Sequence, residues 1–174
     1  MTPEFSRPLD ADTVSESPRT LEIGADEAER RKLAGRFRLV ALDRLAATVT
    51  LARRAGIIHA DGRVMADLVQ SCVVTGEPLP AHIDAPFSVR YVPETPGPAG
   101  EEEVELSEED CDTLPLENGR IDLGELAAET LALALDPYPR APDADLTLDE
   151  SDTETDTGPF AALKALKDRM EKGA

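Results

Sequence analysis

Between residues 42 and 52 apolar side chains recur at every second position. Leu45, Ala47, Val49 and Leu51 fall on one face, and Ala46, Thr48, Thr50 and Ala52 on the other. That is the period of a half-buried strand. A second strand is expected from near Gly56, with a turn or bend at Asp61-Gly62, a dipeptide suited to the positive backbone dihedrals of tight hairpins, and a long continuation over residues 64–75. The third strand alternates most cleanly: Ile83, Ala85, Phe87, Val89 and Tyr91 face one way, and His82, Asp84, Ser88 and Arg90 the other. Residues 76–80, Gly-Glu-Pro-Leu-Pro, are short enough to make it an antiparallel neighbour of the second.

Elsewhere the period lengthens. Residues 26–34 carry acids first and bases last, an order that suits the helix dipole, and Gly35 is the expected stop. After a turn at Asn118-Gly119, Asp122 is placed to cap a helix whose apolar positions are Leu123, Leu126, Ala127, Leu131 and Ala134. Glu125, three residues on, suggests a capping box, and Pro137 and Pro139 end the helix after Leu135. A last helix is expected over residues 159–172, with Phe160, Leu163, Leu166 and Met170 as its stripe.

Together these elements predict an α+β fold: an antiparallel sheet over about residues 42–92 packed with flanking helices, plus an acidic flexible loop and tail. The predicted organisation is a flexible N-terminus (1–20), one α+β domain (21–141) with an acidic loop (94–117), an acidic linker (142–158) and the terminal helix.

Charge sharpens this picture. The 174 residues hold 36 Asp+Glu against 18 Lys+Arg, a formal net charge of -18. Residues 93–158 account for nearly all of it, with 21 acids and two bases, Arg120 and Arg140. Glu101, Glu102, Glu103, Glu105, Glu108, Glu109 and Asp110 form one run, and residues 143–156 a second. By contrast, residues 29–54 carry eight bases against Glu29 and Asp43. As a whole the molecule repels polyanions, so nucleic-acid binding would need that local basic stretch. Two cysteines and a polar N-terminus without an apolar core segment lead to the expectation of a cytoplasmic protein with no disulfide framework. No membrane span is expected.

Catalytic chemistry finds little purchase. Cys72, Cys111, His59 and His82 are the whole inventory of Cys and His ligands for a zinc site, at poor spacing. The nucleophile elbow and the phosphate-cradling and dinucleotide glycine motifs are absent. The carboxylates lie in runs that water solvates, whereas a general acid needs burial. The expectation is no catalytic residue, no metal and no cofactor.

Three segments together resemble a known family: residues 70–78 (QSCVVTGEP) around Cys72 and Thr75; residues 121–140, with Asp122, Leu123, Glu129, Pro137 and Pro139; and residues 159–167 (PFAALKALK), with Phe160, Leu163 and Leu166. In content and order they are similar to the YceD family of large ribosomal RNA subunit accumulation proteins. The resemblance implies a part in making or stabilising large-subunit ribosomal RNA, in bacteria and in chloroplasts, and no enzymatic activity. Many relatives carry Cys-x-x-Cys at this strand end. Here Thr75 takes the second cysteine's place, a departure that weakens the case for a metal or redox role and favours a structural Cys72.

Combined with the charge map, the resemblance leads to the expectation of a non-enzymatic ribosome-biogenesis factor. Its acidic run, Glu101 to Asp110, would hold a basic ribosomal protein or assembly factor through complementary fields. The alternative is an rRNA-binding module that uses Arg30, Arg31, Lys32, Arg36, Arg38, Arg53 and Arg54, though no aromatic stacking platform is interleaved with them.

Overall fold

The computed structural model describes residues 3–93 and 112–144. The chain divides after Pro142, and the first unit holds every described strand and α-helix. In chain order these are β1 (Pro8–Asp10), β2 (Arg19–Gly24), α1 (Glu27–Arg36), β3 (Ala41–Arg54), β4 (Ile57–Ser71), β5 (Pro78–Pro93), β6 (Thr113–Leu116), β7 (Arg120–Asp122) and α2 (Leu123–Ala134). The α+β expectation holds. A five-stranded sheet runs β2-β3-β4-β5-β6, antiparallel except where β6 joins β5 in parallel, and β1 and β7 form a separate antiparallel pair.

The alternations that predict β3 and β5 are realised. Leu45, Ala47, Val49 and Leu51 are buried, as are Ile58, Ala60, Val64, Ala66 and Leu68 on β4, and these residues make the sheet's share of the core. The opposite face is polar and laced across strands: Thr20 to Thr50, Ser88 to Asp61, Arg63 to Asp84 and His82 to Asp67. Such exposed pairs each contribute only about 0.2–1 kcal/mol.

Three expectations are corrected. No turn forms at Asp61-Gly62; β4 passes straight through it, and the hairpin closes at Ala55-Gly56, where φ is +49° and +84°. The left-handed conformation at Ala55 costs about 1–2 kcal/mol, which the long β3–β4 ladder outweighs. In place of a turn, Gly62 permits close approach. A side chain there would collide with the Thr48 carbonyl of β3 and lie 2.5 Å from the Phe87 ring.

Residues 3–20, expected as a flexible arm, are built into the fold. Phe5 is fully buried, Ala11 and Val14 are nearly so, and Leu9 pairs with Ile121. Six-residue β2 then forms an edge of the sheet along β3. At the other edge, residues 113–116, expected within the acidic loop, form β6. The rest of that loop and the terminal helix lie outside the described residues.

The third correction concerns helix ends. The capping box belongs to α1, where Asp26 accepts from the Glu29 amide and the Glu29 carboxylate accepts from the Asp26 amide, both at 2.8 Å. That helix continues past Gly35 to Arg36, and Arg38 then takes the left-handed conformation at φ +54°. At α2, Asp122 caps as expected, accepting from Gly124 and Glu125 amides, but Glu125 does not reciprocate. Its carboxylate instead meets Arg36 at 2.8 Å.

Three of the four prolines in β5 sit on its outward side, where they cost no bond to β4. The Arg90 amide donates to Asp112, on the side away from β4, so alternate residues with the same parity also point away. Pro78, Pro80 and Pro86 share that parity. Their missing donors would have faced the unpaired edge of β5, which extends from the start of the strand to Ser88 among the described residues.

Candidate functional site

The fold disperses the basic stretch. Arg30 donates to the Ala25 carbonyl, and Arg31 pairs with Glu27 on an exposed surface. Arg36 bridges Glu125 and Glu4 and lies over the Phe37 ring, so its charge is committed to joining α1, α2 and the N-terminal arm. The Glu125 hydrogen bond outweighs partial burial and raises the Arg36 pKa. Arg53 donates to the carbonyls of Val14 and Ala11, clamping the arm onto the end of β3. Lys32, Arg38 and Arg54 remain exposed. Arg54 ends the 14-residue β3, whereas α1 flanks its start, so the two basic groups are separated by roughly 40 Å of strand at about 3.3 Å per residue. The seven residues form no continuous patch.

Two of the family-like segments do meet. The Cys72 amide donates to Glu77 and the Gly76 amide to the Cys72 carbonyl, closing a turn at the end of β4. The chain leaving α2 folds against this turn: the Val73 amide donates to Pro139, the Gln70 side chain to Asp136, and the Ala141 amide to the Cys72 sulfur at 3.4 Å. The sulfur also accepts from the Thr75 amide at 3.5 Å. Thr75 hydrogen-bonds at the turn, its hydroxyl meeting the Glu77 carboxylate at 3.1 Å. Pro137 and Pro139 thus both stop α2 and shape the strap over Cys72.

Cys72 is 3% exposed, yet it stands outside the contiguous apolar core, beneath polar N–H groups. The Thr75 side chain, then the Ala141 and Thr75 amides, hold its thiol near 6 against an ordinary value of 9.0, with desolvation opposing them. Folding therefore favours the thiolate. The resulting stabilisation is complete above about pH 9 and is lost as pH falls through about 6. In a Cys111→Ser background, thiolate ultraviolet absorbance is expected to titrate with a midpoint near 6, and Thr75→Val should move that midpoint upward. A midpoint in the ordinary thiol range would refute the hydrogen-bonded thiolate. Among the described residues no group of three or more His, Cys, Asp or Glu is arranged to hold a metal ion.

The remaining motif residues divide by role. Leu123 is buried in the core, and Asp122 binds four donors: Ser6 Oγ, and the amides of Arg7, Gly124 and Glu125. Glu129 is exposed on α2 beside Tyr91, whose phenol is pushed up to about 12, chiefly by burial and then by Glu129 and Asp122. The acidic run Glu101 to Asp110 and the residues Phe160, Leu163 and Leu166 lie outside the described residues. Sequence reasoning missed the anchors of the arm. Arg7 forks onto Glu29 at 2.7 and 2.9 Å and lies over the Phe5 ring, lowering the Glu29 pKa. A single arginine in a polar, proline-containing segment gives no periodic signal by which to find it.

No described helix is long and apolar enough to cross a membrane. No curated protein and no solved structure matches the chain. A family model described as "Large ribosomal RNA subunit accumulation protein YceD" matches residues 60–167, from within β4 through α2 and on into the C-terminal segment. That match covers well over half of the chain and includes the Cys72 turn, its proline strap and the capped α2 helix, so the protein belongs to the YceD family.

Proposed function

We propose that the protein supports accumulation of large-subunit ribosomal RNA by holding a basic ribosomal or assembly protein, and that it does so without catalysing a reaction. The family description supplies the process: it names an accumulation protein. The observation that carries the mode of action is the distribution of charge. Residues 93–158 hold 21 acids and two bases, while the arginines that would have offered RNA a surface are divided between two ends of β3, and several are spent on intramolecular contacts. A polyanion therefore meets repulsion without a compensating patch, and a polycation meets attraction that steers encounter.

The test is capture of purified basic large-subunit proteins, and separately of naked rRNA, by the full chain at low and high salt. Wild type is expected to retain basic proteins and to leave rRNA in solution. Combining Glu101→Lys, Glu102→Lys, Glu103→Lys and Glu105→Lys should abolish that retention, whereas neutralising Lys32, Arg38 and Arg54 should not. Retention unchanged by the four reversals, or saturable rRNA binding lost on neutralising the arginines, would reject the reading.

A further inference from the structure

Among the described residues, α1 and α2 leave part of the sheet's apolar face uncovered. On β3 and β4 the inward residues are buried, but Ile83, Ala85, Phe87 and Val89 of β5, on the same face, are only half-buried. Beside them α2 presents Leu133 at 89% exposure, and β6 presents Leu114. Phe87, Val89, Leu114, Leu126 and Leu133 line an open groove of about 530 Å³ between α2 and the unpaired edge of β5. The charged residues lining it are Asp112 and Glu129; no base lines it among the described residues. Glu129 has no hydrogen-bonding or ion-pair partner among the described residues. Although its side chain reaches solvent, partial desolvation against the groove wall and then the neighbouring Glu125 raise its carboxyl pKa, with Arg36 opposing them. A cation seated beside it would relieve that tension.

We propose that this groove seats an amphipathic helix of a basic partner protein, with its apolar side on Phe87, Val89 and Leu133 and a lysine or arginine on Glu129. The inference rests on the partner being a basic protein and adds where the folded domain grips it. Two features select this occupant. Pro86 stands within the open edge of β5, with Pro78 and Pro80 at its start, so an added strand would lack donors at those positions. Two carboxylates with no base turn nucleic acid away. An apolar helix face with flanking cations matches both the lining and its charge.

The test uses the full chain and two synthetic probes of equal positive charge: a leucine-lysine peptide that forms an amphipathic helix, and a glycine-lysine peptide that has no apolar face. The helical probe is expected to bind at least tenfold more tightly and to shift amide resonances of Phe87, Val89, Leu126 and Leu133. Leu133→Ser should remove most of that tenfold preference while leaving the glycine-lysine affinity unchanged; Leu133 is exposed, so the fold tolerates the change. Glu129→Gln should weaken the helical probe several-fold. Equal affinity for the two probes would overturn the inference. So would shifts confined to His82 and Asp84, the signature of strand addition, or a groove already covered in concentrated peptide-free protein by a second copy. The four Glu→Lys reversals at 101, 102, 103 and 105 separate the two ideas. If they abolish capture while Leu133→Ser changes nothing, the acidic-run reading stands and the groove fails; if the tenfold preference survives them, the groove acts on its own.

Discussion

Asp122→Ala is expected to lower folding stability by about 3 kcal/mol. The carboxylate caps α2 through Gly124 and Glu125, and it also takes the Ser6 hydroxyl at 2.5 Å and the Arg7 amide at 2.7 Å. Loss of an N-cap costs about 1 kcal/mol, and hydrogen bonds to a charged group contribute about 1.5–3 kcal/mol. The second contribution is tertiary, because the arm held by Asp122 brings Phe5 into the core and Arg7 onto Glu29 of α1. One carboxylate thereby ties the first strand pair to both helices. Urea unfolding should show a lower midpoint, and Asp122→Asn, which keeps an acceptor without the charge, should fall between wild type and alanine. A loss below about 1 kcal/mol would mean that the arm is held by Phe5 packing and not by the cap.

The second large effect lies at Gly62. Here Gly62→Ala is expected to cost about 2–3 kcal/mol, at the upper end of what overpacking does, although alanine normally suits a strand better than glycine. The added methyl would meet the Thr48 carbonyl of β3 and the Phe87 ring, at 2.5 and 2.9 Å from two ring atoms. A ring can rotate aside, but a backbone carbonyl in a paired strand cannot. A double-mutant cycle with Phe87→Leu tests which contact dominates. The cycle should recover only a minor part of the loss, and full recovery would assign the clash to the ring alone. Circular dichroism melts of the four proteins suffice.

These two residues also show how far local pattern reaches. Asp122 is legible as a helix start because capping is a relation between residues two or three apart. Its partners Ser6 and Arg7 lie more than a hundred residues away, and nothing in the polar N-terminal segment marks them. Asp61-Gly62 favours a turn by local chemistry, whereas the hairpin closes at Ala55-Gly56, a weaker local signal. The register of two strands of 14 and 15 residues decided the matter. A turn at 61–62 would have removed the pairing of residues 41–48 with residues 63–69 beyond it.

Periodicity, helix stops at proline, the regional separation of charge and the family-like segments could all be read along the chain, because each is a property of near neighbours or of a count. Contact between the Cys72 turn and the Pro137–Pro139 strap, the separation of the bases on and after α1 from Arg53 and Arg54 at the far end of β3, and, among the described residues, the half-covered apolar face of β5 arose only on folding. Each depends on which distant backbone groups satisfy one another and how far two helices extend across a sheet. Peptide N–H and C=O groups are the same in every residue except proline, so their choice of partner leaves little imprint on composition or spacing.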